Sequence, residues 1–543
     1  MHAQTIKRLQ PDCRSCTAHG NTPHRRCRTT AAAGSGPLIG LQRLPDSQQS
    51  TTVVERRAAD VAVIGGGLAA VLSAYTLARA GRKVLLLSDY GLAAARPQGS
   101  ALQPLKLTDT DPLLVHLAAE SSAYWRGLEL LSSSQLLSPQ ASCDVVLQPD
   151  RDHAGAEGFS KLQDACAAAG VTTGPLSCSE AMAQFRQLRL PHSSACLLQP
   201  DGAVLHAGDA ASAARTLAEK AGVVSRPGLI LRGWRDRGSC FQLRASSRLA
   251  PELLSLFEAE ALLLAPEHWA GPCLGLFGLA VEGLQSREVL HCQVDGGMWQ
   301  QQAQLPLWQY WGEATPADQP VQPIGMAGLP LVTGQTGGWV LQQLPAWGLP
   351  VADPFTWQPA SQQWRSSNDD DQEQQAAAAA SSSASWVEVQ VRQLHQTCSQ
   401  LVHDVGPLQG ATLRSSIRSV TQDGRPIIGQ HPGFEPGRVV VAAAASGAQQ
   451  YGPGSCSSSF QMSPMLAKLA GDVVRSAGGD AALLQGLELQ REGLGAAAVD
   501  VRDPWEGLQE LQAAQAVAKE EAERAADEAS DNRQDLAFRE PVA

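Results

Sequence analysis

The stretch ADVAVIGGGLAAVLSAYTLARAGRKVLLLSDYG, Ala59–Gly91, contains the pattern that decides the fold. An apolar run precedes three glycines, a run of helix-forming residues follows them, and a second apolar run comes next. Between strand and helix, the first glycine makes a tight bend, the second lets a diphosphate approach the backbone, and a small residue lets the helix pack closely. The sequence therefore predicts a dinucleotide bound at this turn, where the alternative is a turn that only packs. The predicted contacts are Gly65, Gly66, Gly67 and Ala70.

The adenosine end of the predicted dinucleotide is less well defined. In this pattern an acid at the end of the second strand usually binds the ribose hydroxyls. Here that position is Ser88, and Asp89 follows it. We expect either that Asp89 takes the role of the acid or that the adenosine end is held less tightly than usual.

The composition indicates a globular protein of two domains plus tails, since the chain has 543 residues, 43% of them apolar and 17% charged. The net charge is −11, and without the first 45 residues 35 basic side chains face 52 acidic ones, a charge of −17. Such a body repels phosphate backbones, so nucleic acid is not an expected partner. No apolar run of about 20 residues is free of proline and charge, so no membrane span is expected.

Residues 1–45 have an unusual composition, rich in arginine and small residues, with Asp12 as their one acid. This composition is typical of an organelle transit peptide, and we expect import into the chloroplast, with the mitochondrion as the alternative. A disordered basic tail is the other interpretation. Cys13 and Cys16 form a CxxC pair, but no second pair or nearby pair of histidines completes four ligands, so no metal site is predicted.

Changes in composition divide the rest of the chain. Apolar runs alternating with helical patterns indicate a nucleotide-binding domain over residues 59–225, and strands broken by glycine and proline indicate a second, mainly sheet-based domain over 226–360. A polar low-complexity run, 361–384, is interpreted as a disordered insertion. The chain is then expected to return to the first domain over 385–480. Residues 505–543 are interpreted as an acidic tail, either helical or disordered.

Four further segments carry a family resemblance. They are DPLLVHLAAESSAYWRGLELL (Asp111–Leu131), LQPDGAVLHAGDAASAARTLAEKAGV (Leu198–Val223), ALLLAPEHWAGP (Ala261–Pro272) and IRSVTQDGRPIIG (Ile417–Gly429). The third is similar to an apolar strand that ends in an A-T-G-A-W-like turn, with Trp269 kept. The fourth is the most specific and is close to the R-P-x-T-x-D-G-x-P-I-I-G signature of glycine-oxidase-like proteins. Together with the glycine-rich turn, these segments resemble the D-amino-acid oxidase superfamily of FAD-dependent oxidoreductases, which includes glycine oxidase and monomeric sarcosine oxidase.

The resemblance implies a mixed α/β (α+β) fold, with a Rossmann-like FAD-binding domain on a parallel sheet and a substrate domain on an antiparallel sheet. It implies FAD as cofactor and an amine or amino acid as substrate, whose α-carbon gives a hydride to the flavin. Ser416 lies where sarcosine-oxidase-like members carry the cysteine bonded to the flavin, so the FAD is expected to be non-covalent.

Two catalytic candidates follow from the resemblance. Arg418 corresponds to the arginine that clamps the substrate carboxylate, a task that suits the planar guanidinium fork; the alternative is a surface arginine in an ion pair. Lys106 stands where the sarcosine-oxidase branch has an arginine at the mouth of the active site; an exposed loop lysine is the alternative. Further FAD contacts are expected at the ends of strands and in the C-terminal flavin loop: Ser88, Asp89, Val224, Trp269, Gly429, Gly447, Ala448, Phe460 and Gln461.

The electron acceptor is a separate question. Between Lys220 and Lys468 the chain has no lysine, although sarcosine-oxidase-like members place one there beside the flavin to activate oxygen. The resemblance therefore favours a dehydrogenase that uses an acceptor other than O2. A catalytically degenerate flavoprotein with an assembly or structural role is the alternative.

Overall fold

The computed structural model describes the following residues: 52–88, 102–146, 153–247, 250, 253–267, 269–295, 306–311, 313–314, 322–323, 326–330, 338–343, 349–350, 361–363, 391–392, 394–396, 398–403, 412–443, 446–447, 459–476, 481–489, 491, 494 and 496–498. The predicted transit peptide, the acidic tail, Asp89 and Ala448 lie outside these residues and stay predictions.

The helices are α1 Leu68–Arg79, α2 Pro112–Ser132, α3 His153–Ala168, α4 Cys178–Gln184, α5 Ala207–Lys220, α6 Ala270–Leu276, α7 Ser459–Val474 and α8 Ala481–Gln485. The strands are β1 Thr52–Ile64, β2 Val84–Ser88, β3 Leu102–Leu105, β4 Leu137–Pro139, β5 Ser142–Val146, β6 Gly174–Ser177, β7 Ala195–Gln199, β8 Ala203–His206, β9 Val224–Pro227, β10 Leu229–Asp236, β11 Phe241–Ser247, β12 Leu253–Leu264, β13 Leu279–Val281, β14 Gln285–Asp295, β15 Leu307–Trp311, β16 Glu313–Ala314, β17 Gln322–Pro323, β18 Met326–Pro330, β19 Gly338–Gln343, β20 Leu349–Pro350, β21 Ser361–Gln363, β22 Thr412–Thr421, β23 Ile427–Gln430, β24 Val439–Ala443, β25 Ser446–Gly447 and β26 Ala496–Ala498.

Parallel strands form the centre of the first sheet, in the order β9, β2, β1, β12 and β24. Strands β2 and β24 and the carboxyl-terminal ends of β1 and β12 are continuous apolar runs buried on both faces, as expected for parallel strands that helices cover. The antiparallel strands β10 and β11 extend the sheet beside β12, and β23 pairs with β24. The strand from the C-terminal part of the chain therefore rejoins the sheet that carries the glycine-rich turn.

Small residues let α1 and α7 pack closely on one face of this sheet. Ala70 and Ala74 of α1 share a buried apolar cluster with Ala467 and Ala470 of α7. A Cβ added to Gly471 of α7 would lie only 3.1 Å from the side chain of Thr76 in α1. The two helices thus approach without large side chains between them, and α7 begins near the end of the sheet where α1 begins.

The second sheet is largely antiparallel, in the order β21, β22, β14, β19, β18, β15, β5, β7 and β6, and its parallel pairs are β15 with β5 and β22 with β25. The mixed α/β fold with a parallel sheet and an antiparallel one is confirmed. The sheets divide the chain differently from the predicted segments, however. Strands β5–β7 join the second sheet although they lie within residues 59–225, and β10–β12 join the first although they lie within 226–360. The segment predicted as an insertion begins with β21, paired to β22, and its residues 364–384 are not among those described.

Two arginines stabilise the hairpin turn between β22 and β23, one from the turn itself and one from a later segment. Gly424 takes a positive φ of 76°, which the turn requires and glycine adopts without strain. Arg491 donates two hydrogen bonds to the carboxylate of Asp423, at 2.6 and 3.0 Å, and Arg425 donates to Asp111 at 2.5 Å. The D-G-R part of the signature therefore has a structural role in this chain.

No helix among the described residues is long and apolar enough to cross a membrane. Within the same part of the chain, no group of three or more His, Cys, Asp or Glu residues could hold a metal ion.

His431 gives the fold a defined response to acid. Its ring is 3% exposed, packs on Phe434 and accepts a hydrogen bond from the Gly433 N–H through Nδ1. Burial lowers the pKa of His431, and a hydrogen bond to the Phe277 backbone acts in the opposite sense. The folded protein thus holds this ring neutral at a pH where the unfolded chain protonates it, so stability is lost as pH falls below about 6.5.

We therefore expect His431→Asn to lose less thermal stability than the wild type between pH 7 and pH 5. Asparagine keeps an acceptor for the Gly433 N–H but takes up no proton. Tm measured across that range checks this, with His192→Asn, at an exposed position, as the control. Equal losses in wild type and His431→Asn would contradict the assignment.

Candidate functional site

The glycine-rich turn lies where the parallel strands of the first sheet end. The carboxyl ends of β1, β2 and β12 meet at one edge, which is where open α/β sheets bind ligands. Gly65 donates its N–H to Leu87 O at 2.9 Å, and Ala265 donates to Ile64 O at 2.8 Å. A Cβ on Gly65 would collide with the carbonyl of Ala265, and Gly65 has a φ of 150°. Only glycine fits where β12 crosses this closely over the turn.

Helix α1 presents the backbone donors of its first turn to this edge. Its N-cap is Gly67, which has no side chain to accept from the first turn. The carboxylate of Glu267, which follows β12, lies against this first turn instead, and hydrogen bonding to the backbone of Leu68 and Ala69 lowers its pKa. A Cβ on Gly67 would collide with that same carboxylate. The backbone of the turn thus forms an anion-binding site, and the carboxylate of Glu267 lies at this site.

Arg418 on β22 is the basic group whose charge acts on Glu267. Its side chain is 7% exposed. Burial raises the pKa of Glu267, while Arg418 and the two backbone donors oppose that rise. Burial likewise lowers the pKa of Arg418, and the charge of Glu267 opposes this change. The structure thus places the predicted carboxylate clamp within electrostatic range of the glycine-rich turn.

Lys106 lies in a different neighbourhood. Its ammonium group contacts the carboxylate of Asp144 on β5 and the side-chain oxygen of Gln309 on β15. Thr108 donates to the other carboxylate oxygen of Asp144 at 2.6 Å, and Asp144 is fully buried. The lysine is therefore buried rather than exposed in a loop, and an acid of the second sheet takes up its charge.

The start of α7 joins this neighbourhood to α2. Gln461 accepts from the Lys106 backbone N–H at 3.2 Å through its side chain and from Trp125 Nε1 at 2.8 Å through its carbonyl. Phe460 stacks on Trp125 with ring centroids 6.3 Å apart. Two predicted cofactor contacts, Phe460 and Gln461, thus lie next to the predicted active-site lysine.

The other predicted contacts are spread along the sheets. Ser88 ends β2 and is buried, and Val224 begins the adjacent strand β9 opposite Leu85. Trp269 is buried at the start of α6. Gly429 lies in β23 with the Leu489 backbone 3.2 Å from an added Cβ, and Gly447 lies in β25, which pairs with β22.

Sequence reasoning missed Asp144 and Gln309. Each lies on a strand whose neighbouring residues are apolar or small, and that contrast is the signal that could have identified them. Sequence reasoning assigned no role to Glu267.

Comparison with known proteins agrees with this geometry. Residues 60–321 match the family model described as DAO, FAD dependent oxidoreductase. The chain contains a DAO-family FAD-dependent oxidoreductase domain. None of the curated proteins compared with the sequence matches it.

Three solved structures share the fold of this chain. NikD, an unusual amino acid oxidase essential for nikkomycin biosynthesis, is 18% identical with a TM-score of 0.59, over 79% of this chain and 97% of NikD. Glycine oxidase from Geobacillus kaustophilus is 19% identical with a TM-score of 0.53, over 77% and 95%. L-proline dehydrogenase from P. horikoshii is 12% identical with a TM-score of 0.56, over 79% and 96%.

FAD is the cofactor of this family, and the backbone of the turn fits its diphosphate. Gly65 and Gly67 leave the space that side chains would fill, and α1 supplies N–H donors that no N-cap side chain takes. The carboxylate of Glu267 lies on these donors, so the backbone fits the cofactor and this side chain competes with it.

We expect Lys106→Met to destabilise the DAO-family domain by about 3–5 kcal/mol, because Asp144 would stay buried without its ammonium partner. Adding Asp144→Asn to Lys106→Met is expected to restore part of the loss, since the amide keeps an acceptor for Thr108 and carries no charge. Denaturant unfolding of the single and double variants measures this.

Lys161→Met is the matched control, because its ion pair with Glu157 is exposed and should contribute little. The free energy of unfolding lost by Asp144→Asn alone is the reference. If Asp144→Asn costs the same amount when it is added to Lys106→Met, the two groups do not interact.

Proposed function

We propose that the protein oxidises the C–N bond of an amino acid or secondary amine, with non-covalently bound FAD as the hydride acceptor. The observation that supports this most directly is the buried Arg418, which lies on the second sheet within range of the turn of the first. The three solved structures that share the fold are described as an amino acid oxidase, a glycine oxidase and an L-proline dehydrogenase. The non-catalytic alternative gains no support from these comparisons.

Arg418 would bind and orient the substrate. A guanidinium group meets a carboxylate with two parallel hydrogen bonds, and the low dielectric of a buried site strengthens that contact. The fork fixes the orientation of the carboxylate and therefore of the hydrogen on the adjacent carbon. FAD, when bound, supplies the hydride acceptor.

Ser416 and Arg418 lie on the same strand, β22, two residues apart. A serine hydroxyl cannot form the thioether by which a cysteine attaches to a flavin. We therefore propose that non-covalent contacts alone hold the cofactor.

A dehydrogenase that uses an acceptor other than O2 is the finer proposal. It rests on the absence of lysine between Lys220 and Lys468, since a lysine beside the flavin is the group that activates oxygen in sarcosine-oxidase-like proteins.

The substrate proposal predicts that the flavin spectrum of the purified protein bleaches anaerobically with one or more members of a panel of amino acids and secondary amines. With that substrate, Arg418→Leu should raise KM roughly tenfold to a hundredfold, because a hydrogen bond to a charged group contributes about 1.5–3 kcal/mol. Arg418→Lys should recover part of the loss, since it keeps the charge without the fork. Steady-state kinetics measures both.

Arg287→Leu is the control for loss of an arginine from this part of the sheet, because Arg287 lies on β14 directly opposite Arg418 of β22. An unchanged KM in Arg418→Leu would remove that residue from the substrate site, and a spectrum indifferent to the whole panel would contradict the proposed activity.

The acceptor proposal predicts slow reaction with air. The flavin, photoreduced without oxygen and then mixed with aerated buffer, should reoxidise slowly, and an artificial electron acceptor should reoxidise it quickly. Stopped-flow absorbance follows both reactions. Rapid reoxidation with release of hydrogen peroxide would show an oxidase instead.

A further inference from the structure

The carboxylate of Glu267 already takes up the backbone donors that a diphosphate needs. The carboxylate lies against the first turn of α1, where hydrogen bonding to the backbone of Leu68 and Ala69, the first two residues of the helix, lowers its pKa. The carboxylate also occupies the space beside Gly67 that the missing side chain leaves open, since an added Cβ would collide with it. A diphosphate site needs backbone donors and open space beside the glycine. The side chain of Glu267 therefore occupies both.

A diphosphate and this carboxylate cannot share the site. Both are anions, both bind through the same N–H groups, and the helix end attracts either one. Two negative charges within a few ångströms in a desolvated site repel strongly. Binding of one anion therefore requires the other to leave.

We propose that Glu267 is an internal occupant of the diphosphate site, which holds the start of α1 in the apoprotein and has to withdraw before FAD binds. The proposal rests on FAD as the cofactor and not on any particular substrate. Glu267 then sets the affinity of the apoprotein for FAD.

The environment of Glu267 makes such a withdrawal feasible. Burial raises the pKa of its carboxyl group, so the charged form is held on the turn at a desolvation cost. The residue follows the end of β12 and precedes α6, so no strand pairing constrains its backbone. Arg418 keeps the carboxylate in an attractive field near the turn.

The test is a titration of the deflavinated full-length protein with FAD, followed by quenching of flavin fluorescence. Glu267→Gln should bind FAD at least tenfold more tightly than the wild type, because the repelling charge is gone. Glu267→Ala should bind more tightly still, because glutamine keeps an oxygen that accepts from α1 and alanine does not. The two variants thus separate the charge of the occupant from its hydrogen bonds.

Glu260→Gln is the matched control: it removes the same charge from an exposed position on β12 and should change the Kd less than twofold. A second readout uses inorganic pyrophosphate alone. It should raise the Tm of apo Glu267→Ala by more than that of the apo wild type, since the donors of α1 are available only in the variant.

Equal or weaker FAD binding by both Glu267 variants would overturn the proposal and would mean that the carboxylate supports the cofactor site. Absence of FAD binding by every variant would overturn it as well. Failure of the amine panel would leave it standing, because the titration measures the cofactor and not turnover.

Discussion

The close approach of β12 to the glycine-rich turn is the constraint on which the rest of this site depends. Ala265 donates to the last residue of β1, and its carbonyl fills the place where a side chain on Gly65 would lie. This contact fixes the turn after β12 against the start of α1. Trp269 and α6 follow directly in the sequence. The position of the Ala265 carbonyl therefore decides which side chains of the segment after β12 reach the sheet edge that carries the glycine-rich turn.

Local patterns carried the sequence predictions that the structure confirms. The βα turn and the mixed fold depend on residues close together in the chain. The apolar periodicity and the spacing of the glycines therefore predict both features. Long-range contacts leave no such local pattern. Lys106, for example, contacts Asp144, 38 residues away in the sequence, and Gln309, 203 residues away. The same limit applies to sheet membership, because a strand such as β10 has the same composition whichever sheet it joins.

Glu267 shows where sequence reasoning reaches its limit at a site. A glutamate in an otherwise small-residue turn is visible as a departure from the family pattern, and its meaning depends on what lies opposite. Opposite it are the donors of α1 and the open space at Gly67, both supplied by a segment far away in the sequence. An acid that would weaken the case for a nucleotide site on sequence grounds instead lies at the start of α1, where we propose that the diphosphate binds.

The charges of Glu267 and Arg418 couple the cofactor edge to the candidate substrate clamp. In the structure described, the acid partly compensates the buried guanidinium, and burial disfavours the charged form of each. A diphosphate on the turn would bring negative charge to the same place and could compensate Arg418 in turn. Because a buried cation without compensation is costly, the guanidinium is better stabilised when some anion occupies this edge. Glu267 supplies that anion from within the chain, so the clamp keeps a counter-charge before the cofactor arrives.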